Sequence, residues 1–195
     1  MLSSARIPRR HRMAVAVLVI LALAMAAGCS RSGGDRKPPV NPPSATSSVT
    51  PSVNAEEAAA RAAALAAYNG YREAYIKAAA TADADSTELT KYTADPLLAE
   101  LKNDLKIKRD QGLVTTGRPV WNAQVTTTNV TVRPFTIQLD DCFDATNWPT
   151  VYKANGKPAG VPGQNKKYHV TAEATLYDDG RWLINSARAE RERPC

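Results

Sequence analysis

The periodicity of the chain changes character at Gly117, and this change restricts the fold more than any single residue does. Before it, Leu65, Tyr68, Arg72, Tyr75, Ile76 and Ala79 recur at helical spacing, with Tyr71 beside them, in an alanine-rich segment running to about Ala80. Asn54, followed three residues later by Glu57, has the form of a capping box for its start. A short helical turn is expected around Thr87 to Tyr92. Asp95-Pro96 then opens another helix, because proline at a first helical position lacks only an N–H that would have no partner. Leu97, Leu98, Leu101 and Leu105 give that helix one apolar face, and Gly112 ends it.

After Gly117 the period becomes two. Trp121, Ala123 and Val125 alternate with polar residues, then Val130 and Val132, then Phe135, Ile137 and Leu139, with a change of parity at Arg133-Pro134 that predicts a bulge or a sheet edge. Tyr168, Val170, Ala172, Ala174 and Leu176 form the cleanest alternation. Asp179-Gly180 turns it back into a last strand led by Trp182 and Ile184. Between Cys142 and Tyr168, Asn155-Gly156, Pro158, Gly160, Pro162 and Gly163 interrupt any regular structure, leaving a long hairpin loop with a short strand near Thr150 to Lys153. Helices first and antiparallel strands after them describe an α+β domain with the helices on one face of the sheet.

The N-terminal part is built differently. Arg6, Arg9, Arg10 and Arg12 precede 15 uncharged residues, Met13 to Ala27, and then Gly28-Cys29. As a helix that run would be only about 22 Å long, short of the ~30 Å hydrocarbon core, which disfavours a spanning anchor. A basic start, a short apolar middle and small residues at the cut describe an export signal. The segment resembles a bacterial lipoprotein signal, which implies removal of residues 1–28, attachment of diacylglycerol to Cys29 and residence on the outer face of the cytoplasmic membrane. A plain cleaved signal is the alternative. Residues 29–54 then form a tether, in which Pro38, Pro39, Pro42, Pro43 and Pro51 alternate with Ser and Thr and almost no large apolar side chains. Its 25 residues after Cys29 reach roughly 30 Å as a coil and about 80 Å if polyproline-like.

Four of the 25 basic residues lie in the signal, so the remainder carries 21 against 19 acidic ones. From Ala55 onward the charges balance, and a neutral domain lacks the electrostatic footprint of a nucleic-acid binder. Cys142 and Cys195 are left as an even pair in an oxidising compartment, where a disulfide is the economical outcome and two free thiols the alternative. Closing a loop of 54 residues would restrict the unfolded chain by about 4 kcal/mol on the loop-entropy model.

The long Tyr-bearing helix, the further helices and the sheet entered through Gly117-Arg118-Pro119 resemble the nuclear-transport-factor-2-like, or cystatin-like, α+β cone. Asp141-Cys142-Phe143-Asp144, Asn155-Gly156-Lys157, Asp179-Gly180-Arg181-Trp182-Leu183 and the terminal Cys195 are similar to exported, often lipidated members of that group in actinobacteria. The likeness covers residues 55–195 and implies a fold and an address, not a reaction.

Isomerases and dehydratases of that superfamily use a carboxylate or an Asp/His pair inside the cone. Here His169 falls opposite the Val170, Ala172 and Ala174 face, pointing to solvent, and Asp141 shares parity with Ile137 and Leu139 but stands at a strand end, where a surface or turn role is expected. No Ser/His/Asp, Cys/His or ligand-spaced His/Cys cluster is present, so no enzyme, cofactor or metal is expected. A pocket lined by Tyr68, Tyr71, Tyr75, Trp121 and Trp182 could receive an apolar molecule with a polar end, although the same rings could simply fill the space between helix and sheet. Pairing through the open sheet face, with an envelope protein or a second copy, is the remaining class of partner.

Overall fold

The computed structural model describes residues 53–195; Cys29, the signal and almost all of the tether lie outside them. The first helix, α1, spans Val53–Thr81. It includes Asn54, which therefore stands inside the first turn rather than capping it. Alanine fills most of its buried positions, Ala64, Ala67, Ala74, Ala78 and Ala79, and this lets the helix approach the sheet closely. Gly70 has a separate cause: a Cβ there would lie 2.3 Å from the Tyr92 ring.

A 3-10 turn at Leu89–Lys91 buries Leu89 beneath α1. α2, Leu97–Asp110, begins one residue later than expected, so that Pro96 stands at the N-cap position, and Leu97, Leu101 and Leu105 are its buried face. Gly112 closes it with φ +66, a conformation other residues adopt at a cost.

Six strands follow: β1 Leu113–Thr115, β2 Ala123–Asn129, β3 Thr136–Asp144, β4 Thr150–Tyr152, β5 Lys167–Leu176 and β6 Trp182–Glu190. The main sheet is antiparallel in the order β2-β3-β5-β6, and β1 pairs with β4 in a separate two-stranded ribbon. The fold class is α+β, with α1 packed on β2, β5 and β6 and α2 reaching β1 and β6. No described helix is long and apolar enough to cross a membrane.

β3 and β5 alternate buried and half-buried residues along nearly their whole length, and Leu139 sits opposite Ala172 as Phe143 does opposite Tyr168. Two expectations fail locally. Val130 and Val132 belong to the connection between β2 and β3, and Val132 is exposed, because Asn129 folds the chain back by bonding Val132 and Pro134. The bulge lies instead within β2, between Val125 and Thr127. β1 was hidden by its length, three residues being too short to show alternation.

The sheet has two unlike faces. Ile137, Leu139, Val170, Ala172, Ala174 and Ile184 point towards the helices and carry the core. The opposite face is polar: Gln138 bonds Glu173, Thr171 Oγ1 donates to Glu190 at 3.0 Å, and Asn185 Nδ2 donates to Thr175 Oγ1 at 3.0 Å.

Candidate functional site

A cavity of about 370 Å³ opens between α1, α2 and the inner face of the sheet. Its origin is the small side chains of β6. Ala189 pairs with Val170 and Ala187 with Ala172, so the sheet surface is shallow where α2 passes over it, and Ala189 remains exposed although it shares the inward face. Replacing either alanine by a large side chain would fill the space.

α1 supplies one wall through Tyr71, Arg72 and Tyr75, which the helical repeat places on adjoining turns. The sheet side is aromatic. Tyr75, Trp148, Phe143 and Tyr168 meet in sequence at ring-centroid separations of 5.9, 5.8 and 5.7 Å, the first two contacts edge to face. Cations stand over two neighbouring rings of this wall: the Arg72 guanidinium lies 4.4 Å from the Phe143 centroid, and that of Arg191 lies 4.3 Å from Tyr168.

Arg72 is buried and held from behind. Its Nε donates to Tyr68 Oη at 2.9 Å, Tyr68 Oη donates to Asp141 Oδ2 at 2.7 Å, and Arg72 Nη2 reaches the same carboxylate at 3.4 Å. The backbone N–H of Asn122 satisfies the other oxygen, Oδ1, at 2.7 Å. Burial raises the Tyr68 hydroxyl far above its ordinary value, with the Asp141 charge and hydrogen bond acting in the same direction. Burial opposes the charge on Arg72, but Tyr71, Tyr68 and Asp141 more than compensate and keep the guanidinium protonated.

Across the cavity mouth, Asp104 and Lys108, four residues apart on α2, converge on α1. Tyr75 Oη donates to Asp104, which also pairs with Lys108, and Lys108 Nζ donates to Tyr75 Oη at 3.1 Å. Burial and then Asp104 push Tyr75 well above the usual tyrosine value.

Of the five aromatics read as pocket lining, Tyr71 and Tyr75 do line the cavity. Tyr68 is fully buried behind Arg72 instead. Trp121 sits at the entry to β2, where Nε1 donates to Asn69 Oδ1 at 2.9 Å and Arg118 covers the ring, and it borders a separate shallow hollow with Pro119 and Val120. Trp182 opens β6 and packs against the main core, away from this cavity.

Phe143 and Tyr168 carried a legible signal, since both continue the inward parity of their strands. Trp148 did not, because it stands in an aperiodic segment.

The two titratable candidates separate. Asp141 is wholly buried, contrary to the surface role expected of a strand end, because β3 extends to Asp144 and brings it under α1. It contacts Tyr68 and Arg72 and does not line the cavity. His169 is on the outer face, as parity requires, but is paired there rather than free in solvent, with Nδ1 2.7 Å from Asp140 Oδ2. Among the described residues no Asp/His pair therefore forms inside.

Cys142 and Cys195 are joined by a disulfide with a Cα–Cα distance of 5.8 Å. The bridge holds the last residues against the sheet, where the His169 N–H donates to the Arg193 carbonyl at 3.0 Å and Arg193 pairs with Asp140 at 2.6 Å.

No family model matches the chain, and no curated protein matches it either. Among solved structures it is similar to one described as the crystal structure of intermembrane space region of chloroplast protein ARC6, at 12% identity and a TM-score of 0.40, over 66% of this chain and 95% of that one. A likeness so distant carries neither a fold family nor an activity to this chain.

Proposed function

We propose that this chain is a lipid-anchored, extracytoplasmic binding module that holds an amphipathic small molecule in the cavity between α1, α2 and the sheet. The carrying observation is the cavity itself: about 370 Å³ walled by four touching aromatic rings and edged by hydrogen-bonding groups, a composition typical of small-molecule sites. The nuclear-transport-factor-2-like cone is the fold family proposed for it, on the order of elements and the helices gathered over one sheet face. Anchoring through Cys29 is supported by the signal and tether in the sequence and by a disulfide suited to an oxidising compartment. Two acyl chains at ~0.8 kcal/mol per buried methylene give stable attachment where one holds only marginally.

A non-catalytic role is proposed because the buried carboxylate is committed to Arg72 and Tyr68, and the lone strand histidine is on the other face. The polar character of that outer face disfavours pairing through a broad apolar surface.

The test of the binding reading is ligand-observed NMR on the full chain in lipid nanodiscs, with empty nanodiscs as the blank and biphenylmethanol, a neutral aromatic of suitable size, as the probe. Binding should occur and should disappear in Ala189→Trp, whose indole would occupy the cavity; identical signals from both proteins would refute it. Anchoring is tested separately by Cys29→Ala, which should release the protein from membranes, and retention there would count against lipidation.

A further inference from the structure

The cavity described above does not end at Arg191. A second hollow of about 400 Å³ lies beneath the 158–166 segment, and the two share Ala145, Trp148, Thr150 and Arg191 along a common seam. Their charge differs. In the first, Arg72 is paired with Asp141 and Lys108 with Asp104, while Arg191 and Glu100, also in the lining, have no ion-pair partner among the described residues. The second contains no Asp or Glu in its lining but contains Arg191 and Lys166, neither of which has a carboxylate within ion-pair distance among the described residues.

The Arg191 guanidinium is held by backbone, and the main chain of Lys166 is tied to the seam. Arg191 Nη1 donates to the Asn165 carbonyl at 3.3 Å, and Asn165 Nδ2 returns a bond to the Arg191 carbonyl at 2.8 Å. The Lys166 carbonyl accepts from the Ala145 N–H at 2.7 Å, which ties the far end of the segment to the seam. A guanidinium held over an aromatic ring, in a hollow lined also by a lysine and by no carboxylate, suits an anion. Trp148 lines both hollows, and its buried indole N–H has no hydrogen-bond partner among the described residues.

We propose that the two hollows form one cleft for an elongated anionic amphiphile, its apolar body against the Phe143, Trp148 and Tyr168 wall and its carboxylate or phosphate head between Arg191 and Lys166. This rests on the binding reading above and specifies the ligand class. The inner cavity takes the body because Arg72 and Lys108 are already matched there and the Glu100 carboxylate in its lining disfavours an anionic head. The outer hollow takes the head because its cations are unmatched and because its lining residues 160–166 are exposed, so that a head group there keeps part of its hydration.

The experiment compares biphenylcarboxylate, biphenyl phosphate and uncharged biphenylmethanol, on the full chain in nanodiscs, for wild type and the Arg191→Gln/Lys166→Gln double variant. Both anions should bind wild type about tenfold more tightly than the alcohol, and in the double variant that ratio should fall to within about twofold, whatever the change in the affinity for the alcohol itself. The better of the two anions identifies the head group. Equal affinity for acid and alcohol in wild type, or unchanged anion affinity in the variant, would overturn the anion assignment and leave the cavity reading standing. Failure of all three probes to bind wild type would remove both. A thermal melt of the variant close to wild type shows that the fold is intact, and Arg191→Lys should restore part of the anion preference.

Discussion

Asp140 and Asp141 are neighbours in sequence and opposites in circumstance. The pleat of β3 sends Asp141 beneath α1, where it is 0% exposed and meets a buried guanidinium, and sends Asp140 to the outer face, where its side chain is 26% exposed between His169 and Arg193. The chemistry of the two groups is the same. What differs is the dielectric around them, and therefore the consequence of removing one partner. A buried pair has lost its hydration on both sides, so deleting one member leaves an uncompensated charge; a surface pair is rescued by water and screened by salt. Within one strand the inner carboxylate therefore bears on whether the fold forms, and the outer one bears on little more than local order at the C-terminus.

The largest expected effect tests that contrast directly. Asp141→Ala should cost about 3–5 kcal/mol in urea unfolding, because Arg72 and Tyr68 are both stranded. The double variant Arg72→Met/Asp141→Leu should recover much of the loss, and a double variant as unstable as the single one would show that the pair is not coupled. The disulfide comes next, since it anchors the outer cluster. Cys142→Ser/Cys195→Ser should lower stability by about 2–4 kcal/mol, read as a reduced melting temperature equal to that of wild type in reductant.

Gly70→Ala probes the inner side without touching charge. The substitution improves helix propensity by about 1 kcal/mol, but the added methyl would sit 2.3 Å from the Tyr92 ring, so a net loss of about 1–3 kcal/mol is expected; a stabilised variant would show that the ring yields freely.

The inner cluster should also show itself at alkaline pH. Tyr68 has an ordinary value of 10.0 and a folded value raised by burial, so its contribution is intact below about pH 10. Above that the unfolded chain releases a proton that the native state retains, and stability falls by about 1.4 kcal/mol per pH unit for each such tyrosine. Tyr68→Phe should make the decline shallower by that amount, and an unchanged slope would contradict the assignment. The smallest effect belongs to the outer face: Asp140→Asn should cost less than about 1 kcal/mol, and less still in high salt.

The inner and outer sets were unequally legible in the sequence. Strand parity alone places Ile137, Leu139 and Asp141 on one side and Asp140 and His169 on the other, because a period of two leaves no freedom once the core face is known. Parity could not weigh Asp141 against its position near a strand end, since the end of β3 depends on pairing with β5 through Asp144. Tyr71 and Tyr75 were legible as a helical stripe, while Tyr68, on the same stripe, turned out to support Arg72 from behind. Trp121 and Trp182 misled because size and aromaticity mark burial and not a cavity. The cavity exists because of Ala187 and Ala189, and two alanines in a strand give no signal of empty space until the elements facing them are placed.

The most direct test of the binding account is native mass spectrometry of the protein extracted from its own membranes. The account predicts a retained small molecule on wild type, released on denaturation and missing from Ala189→Trp. Wild-type protein carrying nothing beyond its own covalent modifications, with the same result for Ala189→Trp, would contradict it.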